Sequence, residues 1–155
     1  PPVTSWFSYL IYFLGYTEFW VKFFPALFGV LTLVIVWKTI ESLGGNIFAQ
    51  SLAACALIFS ALARLNLLFQ PNSFDILAWT FTFYSLVRYV QTGKNSWLYW
   101  MGIAFGFGFL NKYTIAFLAI GILPGLLLIP VRKLFSNPHV YGSLGLATAI
   151  AFPNL

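Results

Sequence analysis

Charge is confined to a few points of this chain. The stretches 23–37, 42–63, 76–87, 95–111, 113–131 and 134–155 contain no Asp, Glu, Lys or Arg. A helix crossing a bilayer needs about 20 mostly apolar residues, within a range of about 17–25. Most of these stretches reach that length once terminal residues that snorkel are included. Eight basic and three acidic residues in 155 leave the charged fraction at 7%, against about 25% in a soluble domain. So few charges cannot cover a soluble fold with a polar skin, and the chain reads as a membrane protein. Runs such as 31–37 are apolar on every face, which excludes the alternation of an outer-membrane barrel. Disordered, collagenous, disulfide-framed and nucleic-acid-binding classes are excluded by the same composition, and the lone Cys55 has no partner for an intrachain disulfide.

The predicted fold is all-α: a polytopic transmembrane helical bundle of about six spans behind an amino-terminal interfacial helix. That helix covers about 4–20, where Thr4 and Ser5 offer a hydroxyl cap. Trp6, Phe7, Tyr9, Tyr12, Phe13, Tyr16, Phe19 and Trp20 follow, interrupted by Gly15. Trp and Tyr concentrate at headgroup depth. Spans are expected at about 23–40, 47–66, 74–91, 96–111, 113–130 and 138–153, each near the lower length limit. Gly102 and Gly106, and Gly121 and Gly125, flank the abrupt 111–113 turn. Small residues four apart let helix backbones approach, so a tight hairpin is expected there, with a kink at Pro124. Pro1 stands in place of Met and the chain stops inside an apolar run. Both features read as a single partial membrane domain of a longer polytopic protein.

Six spans make two sets of ends. The amino-terminal segment, 64–75, 111–113 and the carboxyl end carry Lys22, Arg64 and Lys112. The 41–46, 91–96 and 131–138 turns carry Lys38, Arg88, Lys94, Arg132 and Lys133. The positive-inside rule puts the second set in the cytoplasm. The outer face then collects Pro1, Pro2, Arg64, Gln70, Asn72, Asp75, Asn111 and Lys112, and chemistry is expected there.

Asp75 is the only aspartate. An ionisable group in a membrane segment costs at least about 2.5–3.5 kcal/mol on insertion scales, which marks it as functional by default. A cap in the first turn of a helix is the competing reading, favoured by the macrodipole. Lys112, in a turn of one or two residues, is held near the membrane surface and suits a phosphate; as an alternative it snorkels and sets the turn's depth. Gly106 and Gly108 lie inside an apolar helix and indicate packing rather than a phosphate loop. His139 has no second metal ligand beside it in sequence, and Glu18 and Lys22 are spaced to pair across one helical turn. No Ser-His-Asp arrangement, Cys cluster or second carboxylate near Asp75 completes a catalytic set.

Four strings point further: Pro1-Pro-Val-Thr4, Leu68-Phe-Gln-Pro-Asn-Ser-Phe-Asp75, Leu110-Asn-Lys-Tyr-Thr114 and Pro153-Asn-Leu155. In order and spacing the chain resembles, over essentially its whole length, the bacterial branch of the dolichyl-phosphate-mannose-protein mannosyltransferases, polytopic glycosyltransferases of the GT-C class. The resemblance implies transfer of a sugar from a polyprenyl-phosphate carrier to an acceptor outside the cytoplasm, in a bacterial inner membrane with the active face periplasmic. It matches Asp75 to a catalytic carboxylate at the start of a helix and Lys112 to the basic residue of a turn. Arg64 is the second candidate for the donor phosphate, because Gln70 stands near where many relatives carry Arg. Gln70, Asn72, Asn111 and Tyr113 are the expected substrate contacts. The family's acidic pair, with the general base, is expected upstream of Pro1. No cofactor is assigned, although Asp75 is suited to share a divalent cation. Direct displacement inverts the anomeric centre. The expected partners are the lipid-linked sugar and the bilayer, with no nucleic acid. A lipid-linked oligosaccharide transporter or polymerase, and a non-catalytic membrane scaffold, are the competing classes.

Overall fold

The computed structural model of the chain describes residues 2–128 and 134–154. Within them every element is helical. Pro1, Arg132, Lys133 and Leu155, and the parts of the expected fifth span and its following turn that cover 129–133, lie outside the described residues.

Helix α1 (Pro2–Phe13) opens on a proline at its first position, where the missing N–H is no loss. Val3 and Ile11 are buried, and Phe7 between them packs its ring on Phe24 and Phe28, both at 5.1 Å. Those residues are four apart, so one stripe of α1 faces the bundle. The outer side keeps Trp6, Tyr9, Tyr12 and Phe13 exposed. Gly15 (φ 97°) and Tyr16 (φ 51°) turn the chain through the left-handed region, a conformation glycine takes without steric penalty.

Helix α2 (Glu18–Ser42) follows at once, and Glu18 pairs with Lys22 at 2.5 Å as their spacing predicts. It is the one helix among the described residues long and apolar enough to cross a membrane, at 25 residues. The expected span over 47–66 is not continuous. It is divided into α3 (Ile47–Ile58) and α4 (Ala61–Leu65). Asn46 caps α3 through Ala49 N, and Ser60 caps α4 through Leu62 N. Ser60 serves both sides of the break, since its hydroxyl also donates to Leu57 O at 2.7 Å.

Helix α5 (Pro71–Thr92) starts with Pro71 at its first position and ends at Gly93 (φ 66°). It packs against α2 on one side and α6 (Ser96–Asn111) on the other. Helix α6 in turn lies against α8 (Pro138–Ala151). A Cβ on Gly102 would come within 2.5 Å of Ser143 O, and one on Gly106 within 2.9 Å of Ala147 O. The small-residue pair therefore closes the α6–α8 contact and not a hairpin with α7 (Ile115–Leu128), as the spacing had predicted. Gly121 and Gly125 of α7 face open space, and α7 continues through Pro124.

Two hydrogen-bonded clusters sit at the two ends of α5, a helix about 33 Å long at 1.5 Å per residue over its 22 residues. At one end Arg88 and Gln91 bond Ser42, Asn137 bridges Tyr89 and Asn95, and Tyr99 meets His139. The other end holds the candidate site.

Candidate functional site

Three segments converge at the amino-terminal end of α5: the start of α1, the first turns of α5, and the 111–114 turn between α6 and α7. The turn forms because the backbone at Lys112 is extended (φ −156°, ψ 132°), which stops α6 and carries the chain across the end of α5. Three of its side chains then meet α5 in register. Asn111 Nδ2 donates to Pro71 O at 2.8 Å, Lys112 Nζ to Asn72 Oδ1 at 2.8 Å, and Thr114 Oγ1 to Asp75 Oδ2 at 2.8 Å. Thr4 of α1 adds a fourth link by donating to Asn111 Oδ1 at 2.8 Å.

Asp75 does not cap α5. The N-cap is Gln70, so Asp75 is the fifth helical residue and lies past the free amides of the first turn. It is buried, with Oδ2 held by Thr114 and Oδ1 without a hydrogen bond. The Trp79 indole lies one helical turn on, close enough to act on the carboxylate, but its N–H stays outside hydrogen-bonding geometry. A buried carboxylate oxygen with no partner is costly, and such atoms in native structures call for an explanation. Lys112 lies near enough to Asp75 for their charges to interact, yet forms no ion pair with it. Among the described residues the ion pairs are Lys22–Glu18 and Lys38–Glu41. The site thus holds a cation and an anion, each bonded to a neutral side chain.

The remaining candidates divide. Asn72 meets Lys112 directly. Asn111 is 2% exposed, and both its polar atoms are taken by Thr4 and Pro71. Its two bonds tie the start of α1 and the start of α5 to the turn. Gln70 keeps Nε2 buried without a hydrogen bond. Tyr113 is 58% exposed and stands edge-on to Phe109 at 5.1 Å. Arg64 is exposed on α4. Its segment abuts the site through Ser73 Oγ, which donates to Leu65 O at 3.0 Å, but its own side chain joins neither Asp75 nor Lys112 in a hydrogen bond. Thr4 and Thr114 were not among the expected contacts, although both stand inside the strings that carry the family resemblance.

Among the described residues no three His, Cys, Asp or Glu side chains come together. Asp75 is the one acidic side chain in the cluster. Two apolar cavities flank the helices, of about 260 Å³ beside Gly29, Leu62 and Asn66, and about 380 Å³ beside Met101, Ile122 and Leu144. Neither is lined by Asp75 or Lys112.

The family described as dolichyl-phosphate-mannose-protein mannosyltransferase matches residues 1–155. No curated protein and no solved structure matches the chain.

Proposed function

The chain belongs to the dolichyl-phosphate-mannose-protein mannosyltransferase family, and from that premise we propose that it forms the phosphate-facing part of an integral membrane glycosyltransferase acting on a polyprenyl-phosphate sugar. The tail of such a donor stays in lipid and its phosphate stays at the interface. In the reaction the bond between C1 and the carrier phosphate oxygen breaks, and the acceptor oxygen forms the new bond to C1 with inversion. The acceptor proton passes to a base, and the leaving group is the carrier's phosphate monoester. Lys112 meets that phosphate and stabilises the charge that grows on it. Asp75 accepts a hydroxyl hydrogen of the sugar or acceptor through Oδ1. The acceptor is a protein, lipid or glycan on the non-cytoplasmic face, and the membrane is the bacterial inner membrane.

One observation carries this reading: Lys112 and Asp75 converge at one end of the helices without neutralising each other. A snorkelling lysine has no need of the Asn72 bond that holds it, and a structural ion pair would have closed.

The test is donor binding by the full-length protein in detergent. Lys112→Ala should weaken binding of a polyprenyl-phosphate sugar about tenfold or more, the worth of one charge-assisted hydrogen bond, while Lys112→Arg keeps part of it. Unchanged affinity in the Ala variant returns Lys112 to a depth marker. Binding without any transfer in the wild type favours a lipid-linked oligosaccharide transporter, and no binding at all favours a scaffold.

A further inference from the structure

Thr114 has no part in the reading above, yet its hydroxyl is placed unlike most of the chain's other threonine hydroxyls. Thr32, Thr39, Thr80, Thr92 and Thr148 each return theirs to the carbonyl four residues back. At Thr114 the extended backbone of Lys112 interrupts that geometry, and the hydroxyl donates instead to Asp75, 39 residues away.

The consequence reaches Lys112. Asn72 and Asp75 lie three apart on one face of α5, so the half-buried ammonium held by Asn72 is close enough to interact with the buried Asp75 carboxylate, and opposite charges attract more strongly out of bulk water. If the two closed into an ion pair, the ammonium would no longer be free for an anion. Each has a neutral partner instead: Thr114 donates to Oδ2 of the carboxylate, and Asn72 accepts from the ammonium. A hydroxyl orients a carboxylate without cancelling its charge.

We propose that Thr114 is a positioning residue that keeps Asp75 from closing onto Lys112, and so keeps the lysine available to an anionic lipid phosphate. The inference rests on Lys112 being the group that meets the donor phosphate.

Binding of plain polyprenyl phosphate to the full-length protein, followed beside thermal melting, tests it. Thr114→Val keeps the side-chain shape and removes the donor, so affinity should fall about tenfold. Thr114→Ser should stay within about threefold of the wild type, because the donor survives. The decisive variant is Thr114→Val combined with Asp75→Asn. With no carboxylate left to capture Lys112, the double variant should regain phosphate affinity. Asn72→Ala probes the same point from the other side: it should weaken binding, and Asp75→Asn should restore it. A double variant that binds more weakly than Thr114→Val overturns the inference, as does a Thr114→Val protein with wild-type affinity. If Thr114→Val cannot be purified, the Asn72→Ala pair decides alone. A wild-type protein that binds no polyprenyl phosphate defeats the donor-site reading instead.

Discussion

Asparagine at position 75 keeps an acceptor for Thr114 but carries no charge. Asp75→Asn should therefore insert and melt close to the wild type while losing most sugar transfer in the full-length enzyme. A charge-assisted hydrogen bond in a water-poor site is worth roughly 1.5–3 kcal/mol, which is about a 10- to 150-fold loss if it acts in the transition state. Full activity in the Asn variant removes Asp75 from the chemistry. The charged members of this cluster were legible in the sequence because they are rare. An aspartate and a lysine at the ends of apolar segments stand out as candidates. Thr114 was not legible, because a threonine in an apolar helix ordinarily satisfies itself on its own backbone, as Thr32 and Thr80 do. The capping role considered for Asp75 fails for a related reason. Pro71 suits a first helical position, so α5 begins three residues before the expected 74, and Asp75 falls one turn too deep.

At the scale of elements, glycine spacing predicted close packing correctly at Gly102 and Gly106, though not its partner, and wrongly at Gly121 and Gly125. Gly102 and Gly106 face α8, whereas Gly121 and Gly125 face nothing, and spacing alone carries no information about which neighbour arrives. The two sets should respond oppositely to alanine. Gly102→Ala drives a Cβ into the Ser143 carbonyl and should destabilise by about 1–3 kcal/mol. Gly121→Ala meets open space and should be stabilising by about 0.4–1 kcal/mol through reduced freedom of the unfolded chain. Melting of both proteins in one detergent checks the contrast; equal losses would mean that α7 packs elsewhere. The α3–α4 break was hidden because Leu57-Ile-Phe-Ser60 contains no Gly or Pro. A serine that caps one helix while bonding the end of the previous one breaks the run without the usual punctuation.

For the whole molecule, the two polar clusters gather described turns at two ends. The Leu65, 71–75 and 111–114 segments are bonded at one end, and Ser42, the 88–95 segment and 137–139 at the other. The count of basic residues in the sequence, five against three, gives the expectation that the second end is cytoplasmic. In a full-length protein with Cys55 replaced by serine, an impermeant thiol reagent added outside should label a cysteine at Leu68 and leave one at Lys94 unmodified. The reverse pattern places the Asp75–Lys112 cluster in the cytoplasm and defeats the proposed reaction.

The break after Ile58 also bears on the lipid around the protein. Twelve residues of α3 make about 18 Å of helix, against a hydrocarbon layer of about 30 Å. Where α3 meets lipid along its length, the acyl chains beside so short an apolar cylinder compress to match it. Compression lowers the headgroup plane and brings a carrier's phosphate inward, toward the depth of the 111–114 turn. Transfer rates should therefore rise as the protein is moved from long-chain to short-chain phosphatidylcholine vesicles. A rate indifferent to chain length would mean that α3 does not meet the bilayer along its length.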